Sequence, residues 1–155
     1  MAERIGCCGA DNPYLKARVA LSVGNTFVTN ELEAALKDAD LPQLAWFDVL
    51  NKIFLAGDLG MKSVELQAKL LVPQYSLSRL LSKIEEAGLI EKTECPDDAR
   101  CQELRLTEAG QGMREKMVPV YSRALGQVMQ NRITADQLQQ LGSFYDSFQC
   151  PQSDG

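Results

Sequence analysis

A chain of 155 residues with 45% hydrophobic and 24% charged residues has the composition of one ordered domain, with room for helical extensions, and not that of a disordered chain. No apolar run reaches the ~18 residues of a membrane helix, and the opening MAERIGCCGADNP has no secretory hydrophobic core, so a cytoplasmic protein without a membrane partner is expected. The net charge is −5 and histidine is absent, which removes imidazole zinc sites, Ser-His-Asp triads and Cys-His pairs; no metal, cofactor or enzymatic activity is expected.

Residues 1–11 read as a flexible tail. Asn12 and Pro13 open a first helix: Asn12 caps the free N–H groups, and Pro13 loses nothing at the first helical position. Leu15, Val19, Val23 and Phe27 recur every four residues, and the helix is expected to reach about Leu36 before residues 37–41 break it. Pro42 opens a second helix with Trp46, Val49, Leu50 and Ile53 on one stripe, stopped by Gly57. A short third helix begins at Ser63 and turns inward Val64, Ala68 and Leu71.

The fourth helix, residues 74–87, carries Leu77, Leu80, Leu81 and Ile84 within an arc about 100° wide. Its opposite face presents Tyr75, Arg79, Ser82, Lys83 and Glu86, and Gly88 ends it. The segments Leu89 to Cys95 and Cys101 to Thr107 then alternate around the charged turn Pro96-Asp97-Asp98-Ala99-Arg100, which predicts a β-hairpin with an exposed tip. Thr107 caps a long fifth helix in which Pro119 is expected to cause a bend or a break. Thr134 and Gln137 form a capping box for a last helix, whose apolar side is Leu138, Leu141, Tyr145 and Phe148; Ile133 and Leu138 fit a hydrophobic staple.

Two short helices, a longer one and a hairpin follow one another in the order of a winged helix-turn-helix. The expected fold class is mainly α with a small β-hairpin wing, a winged helix-turn-helix with helical dimerisation extensions. In this arrangement one amphipathic helix packs its apolar face on the other two, and its polar face matches the width of a DNA major groove. Arg79 and Lys83, one turn apart, are the groove candidates, and Tyr75, Ser76 and Ser78 can donate to phosphates or bases. Charge argues the other way: residues 62–106 hold seven basic and eight acidic residues, so a few well-aimed cations must supply the contact.

The run Val64-Glu65-Leu66, then Ser76-Leu77-Ser78-Arg79-Leu80-Leu81, then Ile84-Glu85-Glu86-Ala87-Gly88-Leu89-Ile90 resembles the recognition helix and exit of the MarR family of transcriptional regulators. So does the wing Asp98-Ala99-Arg100 followed by Leu104-Arg105-Leu106-Thr107-Glu108-Ala109-Gly110. The detailed resemblance covers residues 42–112. It implies a homodimer, with residues 12–41 and 108–150 as dimerisation helices around a DNA-binding lobe at 42–107. The function it implies is regulation of transcription, most often repression, by binding a pseudo-palindromic double-stranded operator. It carries Arg79 over as a DNA contact, Arg100 as the wing arginine beside the minor groove, and Asp98 as its brace. Ala99 departs from the pattern, standing where a second basic residue is common. The resemblance also implies a small aromatic or phenolic effector between the dimerisation helices and the lobe, for which Tyr14, Arg18, Trp46 and Met113 are the lining candidates.

Two other readings compete. A winged-helix module that has lost DNA binding and serves in protein association fits the near-neutral lobe and Ala99. A thiol enzyme lacks a supporting constellation. Of the five cysteines, Cys95 and Cys101 sit at the two shoulders of the wing and would face each other in a symmetric hairpin, so they are redox candidates alongside Cys7 and Cys8; inert thiols are the competing reading.

Overall fold

The computed structural model describes residues 12–70, 74–95 and 98–149, without the side chains of 74, 75, 98–101, 148 and 149. Its elements in chain order are α1 (Pro13–Asp38), α2 (Leu44–Leu55), a 3-10 turn (Gly57–Leu59), β1 (Met61–Lys62), α3 (Ser63–Leu70), α4 (Gln74–Glu86), β2 (Ile90–Cys95), β3 (Asp98–Leu106), α5 (Glu108–Gln130) and α6 (Ala135–Gln149). This is the winged-helix order expected from the sequence, with helical extensions at both ends.

The caps explain the boundaries. Asn12 Oδ1 accepts from the Tyr14 and Leu15 amides at 3.0 and 3.3 Å. At its other end α1 runs two residues beyond the expected Leu36, because Asp40 adopts φ 53° and the Leu41 N–H returns to the Leu36 carbonyl at 2.9 Å. Asp tolerates this left-handed conformation better than most residues do. The reciprocal bonds of the capping box are present, Thr134 N–H to Gln137 Oε1 at 3.0 Å and Gln137 N–H to Thr134 Oγ1 at 3.3 Å. Pro119 neither breaks nor ends α5: it lies on the exposed side of the helix, where water can satisfy the carbonyl left without a donor.

One strand went unanticipated. β1 is two residues long, too short to show alternation, yet Met61 and Lys62 pair antiparallel with Leu104 and Glu103 to give the sheet order β1-β3-β2. β1 gets beside β3 through Gly60, at φ 68°, where a β-carbon would stand 2.8 Å from the Leu104 carbonyl oxygen. β3 also begins at Asp98 rather than Cys101, so most of the expected turn is strand.

The buried core joins Leu32 and Leu36 of α1, Phe47, Val49, Leu50 and Ile53 of α2, Met61, Leu66, then Leu77, Leu81 and Ile84 of α4, Leu89, Ile90, Leu104 and Met117. Val64 and Ala68, expected inward on α3, are exposed, and Leu66 is the α3 residue in the core. Phe47 stacks on Tyr121 at 4.3 Å between ring centroids, tying α2 to α5. Arg114 of α5 donates to Asn51 Oδ1 at 3.0 Å and lies 3.7 Å over the Phe54 ring, both on α2. Among the described residues, the N-terminal half of α1 and the whole of α6 contribute nothing to this core.

Candidate nucleic-acid interface

α4 divides into two faces as its pattern predicts. Leu77, Leu81 and Ile84 are buried, which fixes the rotation of the helix and leaves Ser78, Arg79, Ser82 and Lys83 exposed. Ser76 is half-buried at the edge between the faces. Ser82 turns its hydroxyl back to the Ser78 carbonyl at 3.0 Å, so its proton is committed to the helix. Arg79 and Lys83 make no ion pair or side-chain hydrogen bond among the described residues. Two outward cations on a rigidly seated helix have their full charge available to a polyanion.

The wing is held to α4 by a contact that sequence periodicity does not reveal. Lys92 of β2 pairs with Glu85 of α4 at 2.7 Å, and the Lys92 side chain is only 14% exposed. Lys92 is therefore a brace and not a groove contact. At the base of β3, Arg105 donates to the Asp58 carbonyl at 2.7 Å and pairs with Glu103 at 2.6 Å. That guanidinium secures the 3-10 turn to the sheet. Of the seven basic residues in 62–106, these two are engaged internally, and the opposite charges beside them explain part of the near-neutral total.

Thr107 locks the wing to α5. Its hydroxyl donates to the Gly88 carbonyl at 2.7 Å and accepts from the Gly110 amide at 3.0 Å, while its own amide donates to the Leu89 carbonyl at 3.1 Å. The paired runs Gly88-Leu89-Ile90 and Leu106-Thr107-Glu108-Ala109-Gly110 are thus the two halves of one contact.

Residues 40–100 match the model of the MarR family. Over that segment the chain resembles the MarR family. The six helices and three-stranded antiparallel sheet of the described residues align with MarR structures over most of their length. Wild-type MarR from E. coli in its apo form is 26% identical, with 85% of this chain and 94% of that one covered and a TM-score of 0.68. A mutant E. coli MarR in complex with operator DNA is 24% identical, covers 91% of this chain and 99% of that one, and has a TM-score of 0.76. A MarR family transcriptional regulator from Streptomyces coelicolor in complex with DNA is 21% identical, with 87% and 84% covered and a TM-score of 0.76.

Within this fold the other candidates fall in separate places. The side chains of Tyr75, Asp98, Arg100 and Cys101 lie outside the described residues, as do Cys7 and Cys8. Cys95 is half-buried and disulfide-bonded. Tyr14 and Arg18 are exposed on α1, whereas Trp46 and Met113 are half-buried against the core. A cleft of about 500 Å³ has a different lining: Lys52 and Leu55 of α2, Ala56 just after it, Met61, Ala68 and Lys69 of α3, and Tyr145 of α6. Sequence reasoning had no signal for it, because its walls come from elements that meet only in the fold. No described helix is long and apolar enough to cross a membrane.

Proposed function

We propose that this chain is a sequence-specific transcriptional repressor that binds double-stranded DNA as a homodimer, with one winged helix-turn-helix per subunit. The observation that carries this reading is the seating of α4: three buried apolar residues fix its roll, and Arg79 and Lys83 face outward without an internal partner among the described residues. Such a face enters a major groove, where arginine bridges a guanine or clamps a phosphate. Arg100 on the wing strand supplies the minor-groove contact, with Asp98 as its brace. The two related proteins whose structures contain DNA support the same use of the fold.

The dimer follows from the apolar residues left over by the core. Leu21 and Val23 on α1 are 50% and 61% exposed, and Leu138 and Tyr145 on α6 are 52% and 61% exposed. These two helices flank the lobe in the chain, and a second copy is the partner that covers both in a two-fold arrangement. Two-fold symmetry then sets operator half-sites about 10 bp apart, one turn of the duplex. Repression follows from occupancy of a promoter by that dimer.

A small aromatic effector with an acidic group fits the cleft between α2, α3 and α6, where Lys52 and Lys69 supply charge and Leu55, Met61 and Tyr145 supply apolar wall. It releases DNA only if it binds the DNA-incompetent spacing of the two lobes better than the competent one. Localisation in the cytoplasm, with the chromosome, belongs to the same reading.

Fluorescence anisotropy on genomic-fragment-selected and scrambled duplexes, across a salt series, tests the proposal. The expected result is selective binding that weakens steeply with salt, since phosphate neutralisation releases counterions. Failure of genome-wide fragment selection to yield any bound duplex would favour instead the protein-association module, for which the acidic total and Ala99 are the supporting features.

A further inference from the structure

Glu85, in the last turn of α4, and Lys92, the third residue of β2, meet at 2.7 Å across the turn at Gly88. That turn is firmly made. Gly88, at φ 73°, donates its N–H to the Glu85 carbonyl at 2.8 Å, and the Leu89 N–H returns to the Ile84 carbonyl at 3.1 Å. Lys92 shares its face of the sheet with Ile90 and with its cross-strand partner Leu104, both buried. It stands where that apolar face runs out, since the next residue on it, Glu94, is exposed. Beside it opens a cleft of about 360 Å³ whose polar wall includes Ser63, Gln67, Ser78, Ser82 and Gln102. Close packing does not hold the wing to α3 and α4 there.

The wing is therefore fixed at two levels. At its root the Leu89 carbonyl accepts the Thr107 amide at 3.1 Å, and further out the ion pair ties β2 to α4. Leu89 to Lys92 spans about 10 Å of strand and Leu89 to Cys95 about 20 Å, at ~3.3 Å per residue. Any slack at the pair is doubled at the outer end of β2, so ~1 Å becomes ~2 Å, enough to carry a donor out of hydrogen-bond range. With Lys92 only 14% exposed, the pair adds little stability over an apolar pair of the same volume, but it accepts few geometries. What it supplies is position.

We propose that Glu85 and Lys92 are positioning residues for DNA recognition: their ion pair sets the distance from α4 to the outer wing, so that helix and wing engage the duplex together. The proposal rests on the DNA-binding reading above, and neither side chain has to touch DNA. Charge alone gives the opposite expectation. Removing the negative charge of Glu85 from the helix that carries Arg79 and Lys83, and freeing Lys92, would tighten binding to a polyanion. Positioning requires that the same change weaken it.

The test uses the full-length chain on a duplex selected from genomic fragments, with anisotropy for affinity. Hydroxyl-radical and guanine-methylation footprints report the wing side and the major groove separately. Glu85→Gln keeps the length of the side chain at a 42% exposed position, and Lys92→Met removes the ammonium from its partner. Each is expected to bind about tenfold more weakly, losing wing-side protection while major-groove protection by α4 remains. The double variant Glu85→Gln/Lys92→Met should be no weaker than either single change, because one interaction is lost in all three. The exchange Glu85→Lys/Lys92→Glu rebuilds the pair with the net charge unchanged and should restore the wing-side footprint, which a general loss of stability would not predict. Equal or tighter binding by Glu85→Gln, wing-side protection kept in both single variants, or no recovery in the exchange would overturn the proposal. If the parent binds no duplex, the DNA reading fails on its own. Amide exchange along residues 91–95 then decides whether the pair fixes the wing: faster exchange in the single variants with α4 unchanged supports it, and equal exchange overturns it.

Discussion

Gly110, in the first turn of α5, lies against the Leu89 carbonyl so closely that no β-carbon fits between them. That carbonyl also accepts the Thr107 amide at 3.1 Å, so neither backbone can retreat without losing the junction of wing and helix. Gly110→Ala is therefore expected to destabilise the protein by about 2–4 kcal/mol, the range of overpacking compounded by a broken backbone hydrogen bond. Urea unfolding followed by circular dichroism measures it, and a change below ~0.5 kcal/mol would remove the contact from the account of the fold.

Arg79 and Arg105 are both exposed lobe arginines, but among the described residues only Arg105 is engaged, with Glu103 and the Asp58 carbonyl. Arg79→Ala should cost about 1–3 kcal/mol of duplex binding with stability nearly unchanged. Arg105→Ala should reverse that order, lowering the unfolding midpoint first. Parallel anisotropy and thermal melts separate the two.

Asp48 on α2 has its carboxyl pKa raised above the ordinary 3.8, chiefly by burial, with Lys52 acting to lower it and Glu33 to raise it. A raised folded-state value means the protonated form is the favoured one. Its stabilisation is full below the unfolded pKa and is lost as pH rises through the folded value, leaving a charged Asp48 as a cost at neutral pH. Asp48→Asn should thus raise stability at pH 7 relative to the parent, with the gain shrinking below pH ~4. The same carboxylate helps to raise the Tyr121 pKa, after burial, so the phenol of the variant should titrate at lower pH than the parent's. Denaturant melts and ultraviolet pH titration read the two effects; a variant less stable at pH 7 would contradict the assignment.

Leu141 on α6 is exposed and belongs to the face assigned to the second subunit. Leu141→Glu is expected to shift the protein from dimer to monomer in sedimentation equilibrium and to abolish tight operator binding, while far-ultraviolet circular dichroism keeps its helical signal. A parent chain that sediments as a monomer at every concentration would end the dimer reading.

The winged-helix order, the caps at Asn12, Thr107 and Thr134, and the two faces of α4 were all legible in the sequence. Each is set by residues close in the chain: a side-chain oxygen two or three positions from the amide it caps, or a 3.6-residue apolar period. Those local rules also placed Arg79 and Lys83 outward. What they could not give was anything requiring two distant segments. β1 exists only because Gly60 lets Met61 reach Leu104; the roles of Lys92 and Arg105 depend on Glu85 and Asp58; the wing bulge depends on register between strands. Val64 was assigned inward by period and is exposed, because the eight-residue helix meets the core through Leu66, with Leu70 packed partly buried against it. Local chemistry decides which elements form and which side faces the core, and only tertiary packing decides which charges remain free, because an ion pair forms where the fold places its two ends.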